Sequence, residues 1–333
     1  MNKQDRVGID VSKDWVDVER VDGAGAIGKA RFDNTSAGHR KLCSWLTKRG
    51  HTARVVLEAT GVYHVKLALA LAEKKGVEVM VANPMAAKSF GDSLLQRAKT
   101  DATSAHVLRE YAERMDFVRW EPPSQARRHL RAVSRRIETL GKVITEEKNR
   151  HHAAKVDDEP ESVLRDMRSS LASLKKRREE LRKSALAIIA QETELREIFE
   201  LLISAKGIGA ASAISLLGEL SMLPPGLGVR QWVAYAGLDP RPVESGSSVR
   251  RVAHISRKGN VRLRGALYMP ALVAKRSDPN VRAFAEHLLA KGKSKLVVTT
   301  AVMRKLLHAI HGMMKTKTTF DGAKFYRLPA VGG

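Results

Sequence analysis

An α/β amino-terminal domain, a helical hairpin in the middle and an all-α carboxyl-terminal domain are the fold class this sequence predicts, and three observations predict it. Short β-type runs with glycine-marked turns fill residues 5–32, after which strand-like and helix-like segments alternate to about residue 115. A leucine and isoleucine rhythm of threes and fours then takes over. From about Glu192 onward no convincing strand remains. The boundaries expected are 1–120, 121–191 and 192–333.

The amino-terminal elements follow in order. RVGIDVSK (6–13), DWVDVERVD (14–22) and KARFD (29–33) alternate as strands, the last two separated by the turn DGAGAIG, which suggests an antiparallel meander. A helix runs from about Ser36 to Lys48, with Asn34 and Thr35 as capping residues and Gly50 as its stop. ARVVLEAT (53–60) reads as a strand, VYHVKLALALAEKK (62–75) as a helix closed by Gly76, and VEVMVANP (77–84) as a strand. Residues 102–115 form a last helix. A meander followed by α/β crossovers is the order of an RNase H-like sheet.

Beyond Pro122 and Pro123, Leu130, Val133, Ile137, Leu140 and Ile144 follow the a/d rhythm of a coiled coil, and Leu164, Met167, Leu171, Leu174 and Leu181 resume it after Pro160. This predicts an antiparallel coiled-coil hairpin; two ordinary amphipathic helices on a core are the alternative. In the last third, helical periods are interrupted by KGIG (206–209), SMLPPGLG (221–228), SDPN (277–280) and a polar stretch from Asp239 to Lys258. That stretch is expected to be a long functional loop inside a helical domain.

Composition narrows the function. Among 333 residues, 59 lysines and arginines oppose 36 acids, a formal charge of +23 that calls for a polyanionic partner. A 43% hydrophobic content rules out wholesale disorder. The single cysteine, Cys43, rules out a disulfide framework and a multi-cysteine zinc site. No secretory apolar segment is evident, and Leu296 to Met303 is too short to span a bilayer. A cytoplasmic, nucleoid-associated nucleic-acid-binding protein with no membrane partner is expected.

Three constellations can carry chemistry. Asp10 lies within the first strand, Glu58 ends the strand ARVVLEAT, and Asp101 opens the last helix of the first domain. Two-magnesium phosphoryl transfer needs carboxylates converging from separate elements in this way. Asp101 has an alternative reading as a helix cap; Asp10, inside an apolar strand, needs a partner or a metal. The second constellation is LLISAKGIGAASAISLLGEL (201–220), which has a helix-hairpin-helix look in which Gly207 and Gly209 lead into a helix amino terminus able to hold a phosphate. Plain structural punctuation is the alternative. The third is the polar stretch, where Ser245, Gly246, Ser247 and Ser248 sit among Arg241, Arg250, Arg251, Arg257, Lys258, Arg262 and Arg264. By residue type this is a phosphate-contacting loop first and a nucleophile second. Tyr63 and Tyr235 are read as core residues.

The motifs GIDVSK (8–13), LEATGVYH (57–64), NP (83–84), KTDATSA (99–105), KGIG, AYAGLDPRPVESGSSVR (234–250) and RLRGALYMPALVA (262–274) resemble the insertion sequence 110 family of transposases, related to invertases of the Piv type. The resemblance spans nearly the whole chain in the family's order. It implies a RuvC-like DEDD domain followed by a transposase domain. It also implies magnesium (Mg2+) bound by Asp10, Glu58 and Asp101, and Ser245 as a nucleophile that forms a covalent phosphoserine with DNA. The partners implied are donor and target DNA, a non-coding bridge RNA and further copies of the chain, from dimer to tetramer.

Two departures from the family pattern stand out. The fourth acid belongs three residues after Asp101, where this chain has Ser104, a weaker and neutral ligand. Asp92 and His106 lie nearby without that spacing. Arg251 stands where glycine often follows SVR. Arg241 and Arg250 are the expected oxyanion-stabilising residues, His254 is not assigned as a base, and a resolvase-like nuclease using water as nucleophile is the alternative function.

Overall fold

The computed structural model describes residues 4–59, 61–94, 101–245 and 249–328; of residues 101–103, 242–245 and 249–253 it describes the backbone alone. The chain forms two compact units, Met1–Pro122 and Pro123–Gly333.

In the first unit, β1 (Asp5–Val11), β2 (Trp15–Val21) and β3 (Ile27–Asp33) form an antiparallel meander. After α1 (Ser36–Leu46) comes β4 (Ala53–Glu58), and after α2 (His64–Ala72) comes β5 (Val77–Ala82). β4 pairs parallel to β1 and β5 parallel to β4, giving the order β3-β2-β1-β4-β5. Two further helices, α3 (Pro84–Ser93) and α4 (Asp101–Arg114), complete the unit. Strand alternation sorts the two faces. Val7, Ile9 and Val11 of β1 pack with Val55 and Leu57 of β4 against α1 and α2, whereas Val56 and Ala82 face α3 and α4. Helix α3 was absent from the sequence reading. Its start is nevertheless written in Asn83-Pro84: Asn83 accepts from the Met85 N–H at 2.8 Å, and Pro84 occupies the first turn.

The second unit opens with two long helices, α5 (Gln125–Val156) and α6 (Glu161–Gln191), folded back on one another through residues 157–160. Leu130, Ile137, Leu140 and Ile144 of α5 and Leu171 of α6 are buried. α7 (Thr193–Ser204), α8 (Ala210–Leu220) and α9 (Val229–Ala236) follow, then α10 (Val261–Ser277), α11 (Pro279–Ala290) and α12 (Lys295–Thr316), and the short α13 (Gly322–Phe325) packs on α11 and α12. One core joins Leu130, Ile137, Ala185 and Ile189 of the long helices to α8, α10 and α12. Leu296 to Met303 lies within α12, and no helix among the described residues is long and apolar enough to cross a membrane.

The carboxyl-terminal region is not all-α as expected. The polar stretch contains an antiparallel hairpin, β6 (Pro240–Ser245) and β7 (Val249–Ile255), with an irregularity between Arg241 and Val243. A two-stranded ribbon pairs through its backbone and needs no buried face, so its sequence lacks the alternation that marks a sheet strand. The expectation of a core Tyr63 is also corrected: its ring lies on the loop after β4 and is 45% exposed. Tyr235 is half-buried against the core, as expected.

Candidate functional site

The register of the parallel strands brings two of the predicted acids together. β1 and β4 pair as far as Ile9 opposite Leu57, so Asp10 and Glu58 each lie one residue further along neighbouring strands. Both share strand parity with Gly8 and Val56, which puts them on the face covered by α4. That face is crowded by design at Gly8, where a Cβ would stand 2.1 Å from the Ala105 carbonyl oxygen and 2.2 Å from the Arg109 nitrogen. Only glycine lets the helix backbone approach the strand this closely.

The direction of α4 follows from its contacts. Glu113 meets Arg6 at 3.5 Å, while Ala105 and Arg109 lie over Gly8, so the helix runs antiparallel to β1 with its amino terminus toward Asp10. Two strand residues, about 6.6 Å, match about four helical residues. The backbone of the first turn, from Asp101 to Ser104, therefore lies over the level of Asp10. The Asp101 side chain lies outside the described set, and among the described residues no group of three metal-binding side chains occurs. Asp10, Glu58 and Ser104 each make an interaction within the chain. Carboxylate oxygens on adjacent strands are hard donors, so this donor set fits a hard divalent cation.

Two features of this end were not read from the sequence. Asp17 of β2 stands directly opposite Asp10 but is held by Arg31 through a two-point contact, at 2.8 and 2.9 Å. Asn34 clips two loops: its Nδ2 donates to the carbonyls of Ser12 at 2.8 Å and Tyr63 at 3.4 Å. Its Oδ1 is therefore the acceptor for buried His39, whose Nε2 stands 2.7 Å away. Burial, and then the charge of Lys66, hold His39 below its ordinary pKa.

A second cluster stabilises α4. Glu19, 2% exposed, accepts from His106 at 2.7 Å and Arg109 at 3.2 Å and pairs with Lys29 at 3.2 Å. Burial alone would raise its carboxyl, but the hydrogen bonds from His106 and Lys29, with the His106 charge and Arg109, outweigh it and keep Glu19 below the usual range. This is the place of His106, and Asp92 is exposed on α3.

In the second unit Ser245 ends β6, its backbone paired with Val249. The side chains of Ser245, Arg250 and Arg251 lie outside the described set, as do Gly246, Ser247 and Ser248 entirely. What is described is the root of the ribbon. Asp239 and Ser256 bond through backbone and side chain at 2.9 and 2.5 Å. The Asn260 N–H donates to the Tyr235 carbonyl at 2.6 Å. Asn260 Nδ2 donates to Glu219 at 2.6 Å and lies 3.1 Å from the Tyr235 hydroxyl, while Oδ1 caps α10 by accepting from Arg262 and Leu263. Glu219, 2% exposed, also accepts two bonds from Arg135 at 2.6 and 3.0 Å. Burial would raise this carboxyl as well, yet the bonds from Arg135 and Asn260 and the charges of Arg135 and Arg131 hold it low.

The predicted basic residues divide into two groups. Arg241, Arg257 and Lys258 are exposed beside the ribbon, as is His254, which pairs across from Arg241. Arg264 instead donates to the Ala236 carbonyl at 2.9 Å, and Arg262 pairs with Glu138 of α5. Gly207 packs on α10, where a Cβ would stand 2.8 Å from the Pro270 carbonyl oxygen and the Ala274 nitrogen, with φ at +106°. Gly209 is the uncapped N-cap of α8 and faces open space.

Comparison with known proteins matches both units. Residues 7–156 match a family model of the IS110 DEDD type described as "Transposase", and residues 199–286 match one described as "Transposase IS116/IS110/IS902 family". The chain is 27% identical over 321 residues to the pilin gene-inverting proteins of Moraxella bovis and Moraxella lacunata, covering 95% of this chain and 97% of each relative. It is 26% identical over 171 residues to the insertion element IS110 uncharacterized 43.6 kDa protein of Streptomyces coelicolor, covering 50% of this chain and 39% of that protein.

Proposed function

This chain belongs to the IS110 family of transposases and is a DNA recombinase, and from that premise we propose that it breaks and rejoins DNA through a phosphoserine formed by Ser245. The observation that carries the acidic half of this reading is the placement of Asp10 and Glu58 side by side on parallel strands beneath the first turn of α4. The strand order supports reading the first unit as an RNase H-like, RuvC-like domain. The buried rhythm of α5 and α6 supports reading them as a coiled coil.

In the proposed mechanism Asp10, Glu58 and Asp101 hold magnesium, with Ser104 as a fourth, neutral contact. Bound there, the metal supplies Lewis-acid stabilisation of charge on the scissile phosphate. Ser245 Oγ loses its proton and forms a bond to phosphorus while the bond to the departing sugar oxygen breaks, that oxygen taking up a proton. Arg241 and Arg250 offset charge on the phosphoryl oxygens. Attack by an incoming sugar hydroxyl reverses these steps and releases Ser245, so one ester is exchanged for another and no external energy source is needed.

Acids and serine lie on separate units, which suits completion of one copy's acidic site by another copy's ribbon in a dimer or tetramer on donor and target DNA. Insertion and inversion are then outcomes of the same strand exchange. A bridge RNA as guide accords with the +23 charge, and sequencing RNA that copurifies with the protein tests it. The setting proposed is the cytoplasm, on nucleoid DNA.

Incubation of the protein with magnesium and cognate DNA, followed by a denaturing gel, tests the chemistry. Wild type should give a protein–DNA adduct, which Ser245→Ala and Asp10→Asn should each reduce at least about a thousandfold. Strand cleavage by Ser245→Ala would overturn the phosphoserine and establish the nuclease with water as nucleophile.

A further inference from the structure

We infer that the groove between the long helices and the α8–α10 pair is a seat for a phosphodiester backbone, held by Arg178 and Arg182 of α6. The groove measures about 630 Å3 and is bounded by α5, α6, α8 and α10. It lies in the second unit alone and was not singled out in the sequence, because its walls come from four segments far apart along the chain.

Charge accounting separates its cations. Arg135 is committed to buried Glu219, and Lys142 and Arg262 share Glu138. Arg182 reaches only Glu179, at 3.3 Å, through one Nη. Arg178 makes no ion pair among the described residues. The Nε atoms of both Arg178 and Arg182 are buried without a hydrogen-bond partner. A buried donor left unmade costs free energy, and two like charges four residues apart on one helix repel.

The rest of the groove adds to the demand. Its α8 wall runs from Ala211 and Ser212 in the first turn to Ser215 and Glu219, and the N-cap Gly209 provides no side-chain acceptor for the free amides of that first turn. The helix end therefore contributes positive potential to a groove that already holds two under-satisfied arginines. A phosphate oxygen in the groove accepts from the guanidinium Nη–H groups and cancels the repulsion between the two cations, whose Nε donors are buried. Gly141 and Ser215 present little bulk along the groove, so a sugar-phosphate chain can come close. DNA and RNA share this chemistry. The inference concerns binding alone, so it stands or falls independently of Ser245 and the acids.

The test is fluorescence anisotropy of the full chain with labelled duplex DNA, single-stranded DNA and single-stranded RNA of one sequence, across a salt series. Arg178→Gln with Arg182→Gln should weaken binding to the occupying polymer about tenfold. It should also make the slope of log affinity against log salt shallower by about 1.4 for a single strand, or about 1.8 for a duplex. The polymer that shows the change is the occupant. The lysine pair, Arg178→Lys with Arg182→Lys, should keep most of the slope. Arg177→Gln, on an exposed neighbour of the same helix, should leave affinity within about twofold. Unchanged slopes with all three polymers would overturn the inference, as would an equal loss in Arg177→Gln or in the lysine pair. A change in oligomeric state at unchanged slope would assign the groove to a second copy and overturn it equally.

Discussion

The acids and the serine are carried by opposite kinds of scaffold. Asp10 and Glu58 ride on adjacent strands inside a five-stranded sheet, with α4 pressed against them at Gly8. Ser245 ends a strand of an isolated two-stranded ribbon, whose described fixings lie at its base, in Asp239–Ser256 and the Glu219–Asn260–Tyr235 network. The contrast fits the division of labour proposed. Metal ligands must hold their spacing to a fraction of an ångström, whereas a nucleophile that meets a phosphate on another copy needs reach and a firm anchor.

Four substitutions or conditions break or sharpen this contrast. Gly8→Ala drives a Cβ into the α4 backbone and should cost about 3 kcal/mol. Hydrogen exchange should show the loss in β1 and α4, with the second unit unchanged. Asn260→Ala removes a donor to buried Glu219 and the cap of α10, and should cost about 2 kcal/mol. Its mark is denaturant-induced unfolding at lower concentration in the second unit, with magnesium binding intact. Ser104→Asp adds a carboxylate three residues from Asp101. It should tighten manganese binding, measured calorimetrically, by about three- to tenfold with activity equal or higher; weaker binding would exclude position 104 from the metal shell.

The smallest effect separates the units by pH. His39 has a folded pKa below its unfolded value, so the unfolded state takes up the proton first. Stability of the first unit should thus fall as pH drops below about 6.5. Glu219, also held low, contributes stability that is complete above about 4.3 and lost only as pH falls further. Denaturant curves at pH 7.5, 5.5 and 4 should show the first unit weakening before the second, and His39→Gln should flatten the first change. Simultaneous weakening would mean other groups control it.

The same contrast explains what was legible. Val7, Ile9 and Val11 alternate with residues of the other face because the sheet is packed on both sides, so the meander, the crossovers and the positions of Asp10 and Glu58 could be read from pattern. The ribbon could not, since backbone pairing between two strands imposes no apolar period. Tyr63 was misplaced because an aromatic residue beside a helix start says nothing of the direction in which its loop turns; that loop is clipped by Asn34, which lies 29 positions away.

By itself the sequence determined the strand order of the first unit and its helices other than α3, the long helical pair, the need for a polyanion and the family motifs. These follow from local periodicity, caps and charge, which neighbouring residues encode. Tertiary structure alone decided that Asp17 is neutralised by Arg31, that Arg262 and Arg264 are occupied within the chain, and that Arg178 and Arg182 line a groove with Nε donors that have no hydrogen-bond partner. Whether a charge is matched depends on which distant side chain folding brings within hydrogen-bond reach, and no local pattern carries that information.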